Sequence, residues 1–182
     1  QHELRLYPAD RRPAVRAQTK IVYLLGAALA FGILGCSNQN SSLVAAQNKS
    51  AALTGDLPLN PLQGKVITSW IDQQDSTMST LYGNDLAVHY ARTNKEHNYP
   101  PGSVLSVVTW KQQEDPRWFG ARIPATVKSV EYVMVKTASN QTPFYSYEKY
   151  EGSPLKRTVD QEGPAPNGDA IWLLSQRAAV MP

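Results

Sequence analysis

Residues 99–111 read YPPGSVLSVVTWK, and the fold follows from them. Tyr99-Pro100-Pro101-Gly102 is a turn, because residues before proline avoid the helical region and glycine tolerates the conformations a reversal needs. Ser103 to Lys111 is β-branched and continuously apolar, the composition of a central strand. On its C-terminal side, Asp115 to Pro124 is expected to be a loop carrying Trp118 and Phe119. Thr126 to Thr137 then alternates Val127, Ser129, Glu131, Val133 and Val135 with Lys128, Val130, Tyr132, Met134 and Lys136, a two-faced strand. Thr142 to Tyr150 adds another strand, and Ile171, Trp172, Leu173, Leu174 and Ala178 form a terminal helix behind Asp169. On the N-terminal side, Asp85 to Asn94 is expected to be a short helix with Leu86, His89 and Tyr90 on one face, capped by Asn84 or Asp85. Lys65 to Asp72 and Ser76 to Tyr82 are strands, and Leu57-Pro58-Leu59-Asn60-Pro61 leads in extended. The expected class is α+β, a mainly antiparallel sheet of four or five strands with short flanking helices.

The 182 residues, 42% of them hydrophobic, suffice for one modest domain. The formal charge of +3 is unevenly placed: Arg5, Arg11, Arg12, Arg16 and Lys20 face only Glu3 and Asp10 before residue 36, and beyond it basic and acidic residues balance. A neutral body has no cationic field to displace counterions from a phosphate backbone, so no nucleic-acid partner is expected. Ile21 to Leu34, IVYLLGAALAFGIL, follows Arg16 and Lys20 and precedes Gly35-Cys36, the anatomy of a secretory leader. As a helix it would span about 21 Å, short of the ~30 Å hydrocarbon core. Ile33-Leu34-Gly35-Cys36 resembles the bacterial lipobox, which makes Cys36 the expected lipid attachment site and the membrane an expected partner. Residues 1–35 are thus read as leader, with an initiation site as late as Val15. Residues 36–56, rich in Ser, Asn, Gln and Ala, are read as a flexible tether, and 57–182 as the folded domain. The expected location is the bacterial cell envelope, lipid-anchored and facing the periplasm or the exterior.

The chain has no Walker loop, no Gly-x-Gly-x-x-Gly and no Gly-x-Ser-x-Gly elbow. A single Cys excludes a disulfide framework and Cys-rich metal sites from these residues. His89 and His97 are weak metal candidates, their spacing matching no ligand signature, and His89 is read first as a half-buried core residue with a backbone partner. Trp110, Lys111, Trp118, Phe119 and Arg122, joined by Tyr82 and His89, combine aromatic surface with fixed cations, which suits a ligand pocket or an interlocked core corner. Asp72, Asp75, Glu114 and Asp115 fall at turns, where solvated carboxylates are routine.

The stretch from Tyr99 to Leu105, the run Thr109-Trp110-Lys111-Gln112-Gln113-Glu114-Asp115-Pro116-Arg117-Trp118-Phe119-Gly120-Ala121-Arg122-Ile123-Pro124, and Ser129-Val130-Glu131 together resemble the central block of cytochrome P-460 domain proteins. Tyr82-Gly83-Asn84-Asp85-Leu86-Ala87 resembles the segment before it. The resemblance implies a secreted, mainly antiparallel domain, often a homodimer, whose haem-bearing members oxidise hydroxylamine and whose relatives bind nitric oxide. Those members attach c-type haem through Cys-x-x-Cys-His near the C-terminus and cross-link a Lys to the porphyrin, a role for which Lys111 is the candidate here. Leu173 to Pro182 holds neither Cys nor His, so no cofactor is expected from these residues and haem only in non-covalent form. Three functions follow as expectations: a tethered domain that binds or senses a small ligand, a non-covalent haem redox enzyme acting on hydroxylamine or nitric oxide through His89 or His97, and an envelope scaffold.

Overall fold

The computed structural model describes residues 45–179 except 48, 94, 95, 97, 140 and 141. The expectations for the leader, for Cys36 and for His97 lie outside the described residues.

One six-stranded antiparallel meander organises the chain: β1 (Lys65–Asp72), β2 (Thr77–Gly83), β3 (Val104–Glu114), β4 (Arg122–Thr137), β5 (Pro143–Glu151) and β6 (Lys156–Gly163), paired in sequence order. Helix α1 (Asp85–Thr93) fills the β2–β3 connection and α2 (Gly168–Ser175) follows β6. The expected α+β class, mainly antiparallel with short helices, is what forms. β3 lies between β2 and β4, and its Leu105, Ser106, Val107 and Val108 are all buried, which is why its sequence is apolar without alternation.

Each sheet face carries its own core. On one, Ile67, Leu81, Leu105, Val107, Val133, Val135 and Tyr147 meet Ala87 and Val88 of α1 and Ala170, Leu173 and Leu174 of α2. On the other, Val108, Trp110, Val130, Tyr132, Tyr150 and Leu155 are covered by Ala51, Leu53, Leu57 and Leu59. This N-terminal strap is fastened by named hydrogen bonds. The Trp110 indole donates to the Ala51 carbonyl at 2.9 Å, the Tyr132 hydroxyl to the Leu59 carbonyl at 2.7 Å, and the Leu155 amide to the Thr54 carbonyl at 2.7 Å. Among the described residues, contact with the body therefore starts at Ala51, ahead of the Leu57 that composition suggests, because the side chains of Ala51 and Leu53 and the carbonyls of Ala51 and Thr54 suffice to dock it.

Four local expectations are corrected. The loop expected over Asp115 to Pro124 forms over Asp115 to Ala121 and ends early: β4 begins at Arg122, and Pro124 is tolerated opposite Gln112 where the β3–β4 register is irregular. The α1 face that meets the core is Ala87 and Val88 with half-buried Tyr90 and Ala91, whereas Leu86 and His89 point to solvent. Close approach to the sheet selects the small side chains and expels the imidazole. His89 is therefore not a half-buried core residue. β6, KRTVDQEG, is a strand that sequence reading passed over; it is a mostly exposed edge whose charges replace the apolar alternation and discourage further pairing.

Candidate functional site

The helix-covered sheet face changes character beyond the reach of its apolar core. In the register of the sheet, Trp70, Ser79, Thr109, Ser129 and Glu151 lie opposite one another in a row across β1 to β5. Glu131 and Lys149 are paired in the next row. Ser79 and Thr109 share a 2.9 Å hydroxyl hydrogen bond, and Ser129 donates to Glu131 Oε1 at 3.4 Å. Ser79, Ser129 and Tyr147 are each at most 5% exposed. Buried hydroxyls of this kind are stable only because they satisfy one another.

Two carboxylates converge on one phenol at the end of this strip. The Tyr147 hydroxyl lies 2.9 Å from Glu131 Oε2 and 3.4 Å from Asp169 Oδ2, so β4, β5 and the first turn of α2 meet at a single proton. Burial pushes the Tyr147 phenol far above its ordinary range, and the two carboxylates push the same way. Tyr147 is thus a fixed donor. Lys149 Nζ sits 3.1 Å from Glu151 Oε1. Partial burial pulls this ammonium down, but the hydrogen bond to Glu151 and the fields of Glu131, Glu151 and Asp169 outweigh it, and the net direction is up. Three carboxylates against one ammonium leave the cluster anionic. Beside it a pocket of ≈ 440 Å³ opens between β6 and the start of α2, with Tyr147, Asp160, Glu162 and Asn167 on its wall.

The residues nominated from sequence do not assemble into one pocket. Trp110 and half-buried Tyr82 lie on the strap-covered face, where Trp110 also lines an apolar groove of ≈ 630 Å³ with Leu53, Leu57, Leu59, Leu62 and Pro124. Of the two readings offered for Trp110, the core corner describes its surroundings. Trp118 and Phe119 are 69% and 109% exposed at the β3–β4 turn, and Arg122 is exposed at its base. Lys111 is an exposed residue of β3, and His89 stands on the outer side of α1. Glu131, Tyr147, Lys149 and Asp169 escaped sequence reading because their meeting depends on strand register and on where α2 docks. The only trace they leave is a Glu at an inward position of the alternating β4 pattern.

Covalent c-type haem asks for two thiols and an axial imidazole. Among the described residues there is no Cys, and the described imidazole, His89, is directed away from both cores. The helix-covered face is filled by Leu81, Val107, Val133 and Leu173, none more than 2% exposed, and its polar atoms are hydroxyls, carboxylates and an ammonium. The residues present do not fit that group. Among the described residues no group of three or more His, Cys, Asp or Glu could hold a metal ion, and no helix is long and apolar enough to cross a membrane.

A single antiparallel meander with two short helices on one face and a polar strip beside them defines an α+β domain of the small, sheet-based kind. Its family can be given: the model of the family described as Cytochrome P460 matches residues 63–165, and the chain belongs to that family. The match spans β1 to β6 and therefore contains Glu131, Tyr147 and Lys149, while Asp169 lies just beyond it. No curated protein matches the chain.

Proposed function

We propose that this chain is a lipid-anchored, extracytoplasmic member of the cytochrome P460 family that binds or senses a small cationic, hydrogen-bond-donating ligand, of the hydroxylammonium or alkylammonium kind, without covalently attached haem. The observation that carries this reading is the convergence of Glu131 and Asp169 on the buried Tyr147 hydroxyl. A cation entering beside Tyr147 would meet the half-buried Glu131 carboxylate, held by the sheet, and the exposed Asp169 carboxylate at the first turn of α2, both already oriented on the phenol, so little ordering cost remains to be met at binding. Asp160 and Glu162 on the adjoining wall are already paired, with Arg157 at 2.8 Å and Lys136 at 2.7 Å, so the field rests on Glu131 and Asp169. Anchoring is supported by the lipobox-like Ile33-Leu34-Gly35-Cys36 behind an apolar run. The absence of covalent haem is supported by the donor set alone.

The test is a two-dimensional NMR titration of the protein with hydroxylammonium and methylammonium chloride, with sodium chloride as control. Shifts confined to β4, β5 and the start of α2, weakened at least tenfold in Glu131→Gln, are expected. Shifts that are absent, or equal in the variant, overturn the cation reading. A Soret band in denatured, extracted protein from the native host overturns the haem assignment independently.

A further inference from the structure

The β3–β4 hairpin outruns its neighbours. β2 is paired with β3 only as far as Thr77 opposite Lys111, and β5 with β4 only as far as Glu151 opposite Ser129. Gln112, Gln113 and Glu114, opposite Pro124, Ile123 and Arg122, continue as a two-stranded arm beyond the body of the sheet. Its turn is held tightly. The Asp115 amide donates to the Ala121 carbonyl at 3.0 Å, the Trp118 amide to the Asp115 carbonyl at 3.2 Å and the Ala121 amide to the Trp118 carbonyl at 3.0 Å. Gly120 supplies the positive φ of 77°. The Asp115 side chain accepts from the Arg117 amide and from its guanidinium at 2.9 to 3.1 Å. A tip built this firmly displays Trp118 and Phe119 to solvent with their side chains uncovered.

Two adjacent exposed aromatics on a rigid projection are unlike the scattered apolar residues of an ordinary surface. The ionic groups of the tip are already paired, Asp115 with Arg117 and Glu114 with Arg122 at 3.7 Å, so the tip is neutral and carries no uncompensated charge toward an apolar phase. Trp and Phe flanked by Arg are the side chains that settle at the boundary between headgroups and acyl chains, and the Arg stems can extend back toward water. The position of the strap agrees. Ala51, bonded to Trp110 and lining the same groove as Pro124, lies at the base of the arm. Fully extended, the stretch from Cys36 to Ala45 spans at most about 30 Å, and the helical residues from Ala45 to Ala51 add about 9 Å. A lipid at Cys36 and the aromatic tip are therefore within reach of one surface.

We propose that Trp118 and Phe119 insert into the interface of the lipid bilayer and orient the domain on it, with the Pro116–Gly120 turn as the docking element. The inference rests on the membrane-anchoring part of the proposed function. A second copy of the chain is the competing occupant, and the test separates it.

The full lipidated chain is reconstituted into vesicles of phosphatidylcholine with and without phosphatidylglycerol, and indole emission is followed with brominated acyl chains. Flotation with the vesicles reports the anchor, and quenching reports the tip. Trp118 should be quenched, removing up to about a quarter of the emission, since it is one of 4 tryptophans. Trp118→Phe should abolish that change, and Phe119→Ser, at a fully exposed position, should halve it or more while leaving flotation intact. Flotation with equal quenching in wild type and Trp118→Phe overturns the insertion and leaves the anchor standing. Failure to float overturns both. Protection of Trp118 from acrylamide in vesicle-free protein, lost together with a sedimenting dimer in Phe119→Ser, assigns the tip to a second copy and overturns the proposal.

Discussion

Tyr147 on β5 donates its phenolic proton to Glu131 on β4 across 2.9 Å, and both lie on the sheet face that the helices cover. Val133, not Glu131, is the direct register partner of Tyr147. The bond is therefore diagonal, and depends on the alignment of the two strands as much as on the identity of the two side chains. Tyr147→Phe removes the donor and leaves a half-buried carboxylate underserved. A loss of about 1–3 kcal/mol is expected in urea unfolding, with Glu131→Gln less costly because an amide can still accept from the phenol. Equal losses in both variants would assign the cost to packing and not to the bond.

Alkaline pH should act through the same residue and its relatives. Burial pushes the Tyr99 phenol up to about 12, with the neighbouring Tyr90 adding to it, and the Tyr150 phenol likewise to about 12, with help from Glu148. Tyr132 and Tyr147 are raised further, again chiefly by burial. A phenol whose folded value exceeds its unfolded value near 10 keeps its proton longer in the folded chain. Its contribution is complete below pH 10 and is lost as pH climbs toward the folded value. Tyrosine ionisation should thus leave Tm unaffected up to about pH 10 and lower it above, with a slope of about 1.4 kcal/mol per pH unit for each phenol involved. Thermal melts at stepped pH, with tyrosinate absorbance as the companion readout, check this. Tyr147→Phe should shed one phenol's share of the slope.

Asn84 joins three segments. Its Oδ1 accepts from the Ala87 amide at 3.0 Å and the Val104 amide at 3.3 Å, and its Nδ2 donates to the Gly102 carbonyl at 2.8 Å. It therefore caps α1 and braces the start of β3 at once. Asn84→Ala should cost about 1–2 kcal/mol, and Asn84→Asp should recover the cap but not the bond to Gly102. Hydrogen exchange at Val104 separates the two: it should quicken in Asn84→Ala and stay slow in Asn84→Asp.

Asn84 also shows how far the sequence is legible. Reading the chain alone places a cap at Asn84 or Asp85, because short polar side chains before an apolar-periodic run satisfy free helix amides; the geometry selects Asn84, whose amide nitrogen has a second use. Strands with strong local signals, β1 to β5, are found to within a few residues, since apolar runs and alternation are properties of the segment itself. β6 is missed because its exposed residues leave little apolar pattern to read: Val159 alone packs against the core among charged and polar neighbours. The Tyr147 site is missed for another reason: Glu131, Tyr147 and Asp169 are brought together by register and by the docking of α2, neither of which any local window contains. Trp118 and Phe119 mislead in the opposite direction, because large aromatics signal burial on average and the hairpin arm carries them away from both cores.

Gly83 ends β2 where α1 crosses it. A Cβ placed there would stand 2.8 Å from Ile67 Cδ1 and 3.0 Å from Ala87 Cβ. Ile67 can rotate, but Ala87 belongs to the helix backbone and cannot yield without moving α1. Gly83→Ala should destabilise by about 1–3 kcal/mol through overpacking, with the m-value unchanged. Pairing it with Ile67→Val should recover part of the loss by giving the new methyl room. A double variant no better than the single one would place the strain at α1.

The strap offers the sharpest separation of a local from a global effect. Trp110 fills the second core with its ring and holds the Ala51 carbonyl with its indole N–H. Trp110→Phe keeps most of the ring and removes the bond, so global stability should fall by only about 1 kcal/mol. The strap's hold beyond Ala51 rests on the Leu155 amide bonded to Thr54 and on Tyr132 bonded to Leu59. If docking of residues 51–59 is one cooperative unit, exchange of the Leu155 amide should quicken in Trp110→Phe well beyond the change in global stability, and proteolysis should cut within the strap first. Leu155 exchange that tracks global unfolding alone would mean that the strap and the sheet open together, with Trp110 acting as core and not as latch.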